Sequence, residues 1–191
     1  MPLRDVGVLQ VAHELFYRHG VRAVGIDKVA AEAGVAPTTL YRLFASKDDL
    51  VGEYVRRADR LNRLWFASVT EADDLDPREK ILALIDGVFG RPRGRDQCRG
   101  CIFLMALTEF PDPELPAHKA AVEMKRWLRG ELRKLTGRLA ETAPVDDPAA
   151  LADQIILVIE GTMASAQALG PDGPARQARA VAEKLLPEPR S

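Results

Sequence analysis

Apolar positions recur at three- and four-residue intervals along nearly all of this 191-residue chain, and no stretch alternates as a half-buried strand would. From about Arg4 to His19, Leu9, Ala12 and Phe16 fall at helical spacing with Leu15 beside them, and Gly20 is the natural stop. A short helix is predicted from about Asp27 to Ala33, closed by Gly34. Another runs from Pro37, whose fixed φ and missing N–H suit a first turn, to about Phe44. Ser46-Lys47-Asp48-Asp49 reads as a cap with acids in the first turn, and the stripe Leu50, Tyr54, Ala58, Leu61 and Trp65 carries one long helix to about Thr70. Asp73 to Pro77 breaks the pattern and starts a helix with Ile81, Leu82, Ile85, Val88 and Phe89 on its apolar positions, ended by Gly90.

Residues 91–97 form a basic loop containing glycine and proline, after which apolar character returns from Cys101 to Phe110. Pro111-Asp112-Pro113 turns the chain into a long helix from about Glu114 to Glu141. The helix from about Ala149 to Leu169 is apolar nearly all round, so it must be buried on more than one side, and a last helix spans about Pro174 to Leu186. The expected fold class is all-α with about nine helices: an N-terminal three-helix head over residues 1–48 and a C-terminal helical domain over 49–191.

Composition narrows the class. With 47% hydrophobic and 29% charged residues the chain can bury a core, and it has no uninterrupted apolar run approaching 18 residues, so no membrane span is expected. The first residues lack a basic segment followed by an apolar one, which predicts a cytoplasmic protein. A net charge of -1 gives no global basic field, so any affinity for nucleic acid must come from a local face. Residues 1–60 carry nine bases against eight acids, which predicts few phosphate contacts and a moderate salt dependence.

The informative segment is Ile26 to Ala45. As a helix-turn-helix it places small Ala30 where the two helices approach, Gly34 in a turn that needs φ > 0, and Val35, Leu40 and Leu43 as anchors of the second helix. The outward face is then Pro37, Thr38, Thr39, Tyr41 and Arg42, whose hydroxyls and guanidinium suit base edges and phosphate oxygens.

Gly20-Val21-Arg22-Ala23-Val24, the run Val29 to Phe44 with its Ala-Gly-Val turn and Thr-Leu-Tyr, and Ser46-Lys47-Asp48-Asp49-Leu50 together resemble the signature of the TetR (tetracycline-repressor) family. The resemblance spans about residues 4–60. It implies an all-helical homodimer whose head binds operator DNA and whose C-terminal helices enclose a small molecule and dimerise. It further implies that Thr38, Thr39 and Tyr41 contact DNA from the recognition helix and that Lys47 contacts a phosphate. Two positions depart from the family pattern: Pro37 stands where many relatives carry lysine, which removes a possible DNA charge, and Leu43 where they carry histidine or tyrosine.

Aromatics and methionines at helical spacing are usually core, but the resemblance makes Trp65, Phe66, Phe89, Phe103, Met105, Trp127 and Met163 the candidates to line a pocket for a largely apolar effector. For the dimer, Gly161, Ala164 and Ala168 between bulky residues allow close approach of a partner helix. Ile155, Ile159, Gly161 and Leu185 are the expected interface, unless that helix is simply the centre of the core. The expected function is a ligand-responsive repressor released from a pseudo-palindromic operator, with the helix from Ser46 to about Thr70 as the link between head and pocket.

Cys98-Arg99-Gly100-Cys101 supports an alternative, a thiol- or metal-responsive sensor. Zinc, however, needs about four ligands, and His13, His19 and His118 lack the spacing to complete a site; the simpler reading makes Cys101 a buried small hydrophobe. No nucleotide-loop, metalloprotease or nucleophile-elbow motif occurs, so neither an enzyme nor a cofactor is expected. A helical interaction module without DNA binding is the third reading, resting on the near-neutral head. Glu109 and Glu160, in apolar helices, read as reaching solvent rather than a ligand.

Overall fold

The computed structural model describes residues 3–90 and 99–188, and of residues 3–6, 89 and 90 the backbone alone. Among the described residues nine α-helices and no strand occur: α1 (Leu3–His19), α2 (Ile26–Glu32), α3 (Pro37–Leu43), α4 (Lys47–Thr70), α5 (Pro77–Gly90), α6 (Ile102–Glu109), α7 (Pro116–Thr142), α8 (Pro148–Leu169) and α9 (Ala178–Leu185).

Side-chain caps set several of these boundaries. Ser46 Oγ accepts the Asp49 N–H at 3.1 Å at the start of α4. Asp76 and Glu79 exchange backbone-to-carboxylate bonds of 2.8 and 2.9 Å, a capping box ahead of α5. One oxygen of Asp147 accepts the N–H groups of Ala149 and Ala150 and starts α8. The last helix differs from expectation in its first turn: Pro174–Gln177 is a 3-10 turn, with the Arg176 N–H donating to Gly173 O at 3.2 Å before α9 begins. α7 likewise starts two residues later than its pattern suggests, because Asp112 holds Glu114 and Leu115 in a turn and Pro116 takes the first helical position.

By packing, the chain forms two units: residues 1–61 with 102–124, and residues 62–101 with 125–191. The N-terminal unit therefore runs past residue 48, taking in α4 to Leu61, α6 and the first turns of α7. Its core includes Leu9, Phe16, Val24, Val29, Leu40, Leu50, Val51 and Val55, with the Phe16 and Tyr54 rings edge-to-face at 5.4 Å. The second unit is built on Phe66, Ile81, Leu84, Ile85, Leu132, Leu139 and Ile155, with α9 laid on α5 and α8. Thr136, fully buried in this core, donates its one hydroxyl proton to Pro148 O at 2.7 Å, with the carbonyls of Leu132 and Arg133 at 3.1 and 3.2 Å, so it ties α7 to the start of α8.

α8 is long and apolar enough, by length and composition, to cross a membrane. Its two acids argue for another use. Asp153 pairs with Arg129 at 2.5 Å and Glu160 with Lys125 at 2.6 Å, both bases on α7.

Candidate nucleic-acid interface

The helix-turn-helix forms as its residue types require. The Ala33 N–H donates to Val29 O and the Val35 N–H to Ala30 O, and between them Gly34 takes φ +64°, a conformation that costs an L side chain about 1 kcal/mol. Ala30 is wholly buried at the crossing of α2 and α3. Because Leu40 points inward, with 0% of its surface exposed, α3 must present the opposite side to solvent. Thr38, Tyr41 and Arg42 lie on that side, exposed; Pro37, one turn before Leu40, is exposed at the first position of the helix, and Thr39 is half-buried. Tyr41 keeps 55% of its surface in water, an uneconomical place for a large ring in a free-standing head and a serviceable one for a ring that meets a partner. Leu43, expected inside, is only half-buried, and Phe44 next to it supplies the buried anchor.

Lys47 opens α4 beside this face. Its Nζ donates to Arg22 O in the α1–α2 turn at 3.5 Å, using one of three donors and leaving two for an outside acceptor. Glu109, the last residue of α6, does not simply reach solvent: its carboxylate accepts the N–H groups of Val21 and Arg22 at 3.3 and 2.9 Å. Glu160 is likewise engaged, with Lys125.

The pocket candidates divide between the units. Phe66 and Trp127 meet edge-to-face at 5.2 Å, with the Arg63 guanidinium 4.6 Å from the Trp127 ring centroid. Trp65, against Gly87, packs on the same core, and Met163 is half-buried in the same unit. Phe103 is buried and Met105 half-buried in the N-terminal unit. The side chain of Phe89 lies outside the described residues. A groove of about 310 Å³ lies elsewhere, lined by Lys125, Leu128, Arg129, Asp153, Ile156, Leu157 and Glu160, none of them a pocket candidate from sequence. Its signal in sequence was the pairing of bases on α7 with acids on α8, which becomes readable only once the two helices are known to be neighbours.

Of the residues expected at the dimer interface, Gly161 is exposed and Ile159 and Leu185 are half-buried. Ile155 sits inside the core of its own unit, because α8 turns that side toward α5 and α7, and it is not on the surface. Leu157, two residues on and on the opposite side of α8, is 69% exposed. Cys98 lies outside the described residues. Cys101 is buried, with Sγ 3.9 Å from Lys125 Nζ. Among the described residues no group of three or more His, Cys, Asp or Glu side chains is placed to hold a metal ion.

Comparison with known proteins joins these observations. A family model described as bacterial regulatory proteins, tetR family, matches residues 8–54, and one described as tetracyclin repressor-like, C-terminal domain, matches residues 77–182. The HTH-type transcriptional regulator YjdC of Escherichia coli (strain K12) is 26% identical over 156 residues, covering 82% of this chain and 79% of that protein. BetI of Agrobacterium fabrum, also an HTH-type transcriptional regulator, is 29% identical over 161 residues, 84% of this chain and 75% of its own. Among solved structures, SCO4454, a TetR-family transcriptional regulator from Streptomyces coelicolor, superposes with a TM-score of 0.83 at 28% identity, covering 96% of this chain and 94% of that one.

Proposed function

Since the chain belongs to the TetR family of bacterial regulatory proteins and is a DNA-binding transcriptional regulator, we propose that it is a homodimeric repressor that a small molecule releases from a pseudo-palindromic operator. Pro37, Thr38, Thr39, Tyr41 and Arg42 of α3 meet base edges and phosphates in the major groove, and Lys47 meets a phosphate. The observation that carries this reading is the outward face of α3, where Tyr41 and Arg42 stand in water around a fully buried Leu40. Two copies of α3 in one dimer would enter successive major grooves about 34–36 Å apart.

The dimer forms through α8 and α9. Only 28% of the most apolar window of α8 is buried within the chain, leaving Leu157 and Leu169 in water beside Gly161. Val181 of α9 is exposed too. A second copy covers these residues, while Ile155 serves the core. The effector is largely apolar and meets the aromatic set around Phe66 and Trp127. It can shift the head off DNA only by its difference in affinity between the two states.

Selection of binding sites from randomised duplex DNA, at two salt concentrations, tests the reading. An enriched pseudo-palindrome bound more weakly at high salt is the expected result; a folded dimer that enriches no sequence refutes it. The thiol-responsive alternative predicts that serine at both Cys98 and Cys101 alters the regulatory response, and an unchanged response removes it.

A further inference from the structure

Glu109 breaks a local rule. It is the last residue of α6, where a carboxylate faces the negative end of the helix dipole and loses stability rather than adding it. Acids at such positions are retained when something outside the helix uses the charge. Here the use is specific. Gly20, at φ +84°, turns the chain after α1 so that the next two amides, Val21 and Arg22, both donate to the Glu109 carboxylate, one to each oxygen. Successive N–H groups gathered around one anion in this way form a small anion-binding nest, and the anion is supplied by the protein itself.

The grip is reciprocal. The Arg22 guanidinium folds back onto α6, donating from Nε and Nη2 to Glu109 O at 3.0 and 2.6 Å, and rests 5.7 Å from the Phe110 ring centroid. That positive group at the C-terminal carbonyl offsets the misplaced acid. His118 Nδ1, from α7, lies 2.9 Å from Phe110 O and steadies the far side of the same turn. Arg22 is thus held at its N–H by Glu109, and its carbonyl, in the next peptide unit, is the group that receives Lys47 Nζ. One residue, through two adjacent peptide units, therefore stands between the end of α6 and the first residue of α4.

We propose that Glu109 is a positioning residue for operator binding: by clamping the Val21 and Arg22 amides it fixes the carbonyl against which Lys47 rests, and so sets the Lys47 ammonium where it meets a phosphate. Lys47 keeps two donors for that phosphate while the third is spent on Arg22 O. The inference rests on the DNA-binding geometry proposed above, and it concerns side chains within the N-terminal unit alone.

The test uses the full-length dimer, the selected duplex, and binding measured across a range of salt for wild type, Lys47→Ala, Glu109→Ala, Glu109→Asp, Glu109→Gln and the Lys47→Ala/Glu109→Ala double variant. Glu109→Ala is expected to weaken binding roughly tenfold and to flatten the salt slope by about 1.8, the loss of one phosphate contact in each of the two subunits. Lys47→Ala flattens it equally, and the double variant no further. Glu109→Gln keeps the reach but offers one acceptor oxygen to two amide donors and no charge, and falls between wild type and Glu109→Ala; Glu109→Asp keeps the charge, is one methylene short, and behaves like Glu109→Ala. Without DNA, amide hydrogen exchange at Val21 and Arg22 is slow in wild type and fast in the Asp and Ala variants. A lowered melting temperature with affinity and slope unchanged makes Glu109 a structural cap only and overturns the inference, and should Glu109→Ala fail to fold, the Asp and Gln variants decide in the same way. A Lys47 effect without a Glu109 effect overturns this inference alone, whereas a slope indifferent to Lys47→Ala overturns the phosphate role of Lys47 and this inference with it.

Discussion

Leu40 and Tyr41 are neighbours in the chain and opposites in the fold, and on the proposed reading the pair separates stability from recognition. Leu40→Ala removes a fully buried side chain and should cost about 2–5 kcal/mol of head stability, read as a lower melting temperature. Tyr41→Ala changes a residue that is more than half exposed; its stability should move by no more than about 0.5 kcal/mol, while operator affinity falls and the dimer survives. Loss of the dimer in Tyr41→Ala would place that residue in the wrong role. Gly34→Ala is a third residue-scale case. A Cβ there meets nothing within 4 Å, so its whole effect is the strain at φ +64°, about 1 kcal/mol by thermal unfolding. The burial of Leu40, the exposure of Tyr41 and the positive φ of Gly34 were all legible from sequence, because burial follows the apolar register and the turn needs a glycine. The role of Glu109 was not, since its partners lie 87 and 88 residues away along the chain.

At the scale of elements, α7 and α8 are joined by two ion pairs that flank a groove with Leu128, Ile156 and Leu157 in its lining. Hydrogen bonding from Arg129 holds the Asp153 carboxyl below the usual carboxylate range, against a smaller opposing effect of desolvation. A carboxylate depressed in the folded state contributes its stability above the unfolded-state pKa of about 3.9 and loses it as the pH falls through the folded value. The difference in melting temperature between wild type and Asp153→Asn should therefore be constant from about pH 5 to 7 and shrink below about pH 4. A difference that grew on acidification would contradict the pairing. The cap of the same helix gives a second expectation: Asp147→Ala removes the acceptor for two amides and should cost about 1 kcal/mol. Periodicity gave the existence and order of all nine helices. It missed the 3-10 turn ahead of α9, because propensity does not distinguish a tight first turn from an ordinary one.

For the whole molecule, the proposed dimer predicts that Leu157→Glu, which places a charge on an exposed apolar position, yields a folded monomer by light scattering that no longer holds the pseudo-palindrome. A dimer unaffected by this change would move the interface off this face of α8. Packing also redistributed the chain in a way its linear order conceals: residues 102–124 join the N-terminal unit although some 40 residues separate them from its other part.

The sequence by itself determined the all-helical class, the helix-turn-helix and the outward face of its second helix, because each depends on the spacing of neighbours a turn or two apart. It also determined the family, through residue types set at fixed intervals over one short segment. Only the tertiary structure decided that Ile155 belongs to the core, that the aromatic candidates fall into two units, and that an acid closing α6 holds the turn behind Lys47. The physical reason is common to all three. Helical periodicity says which residues share a face, but which face meets which helix is set by packing between segments far apart in the chain, and that information is written in no local interval.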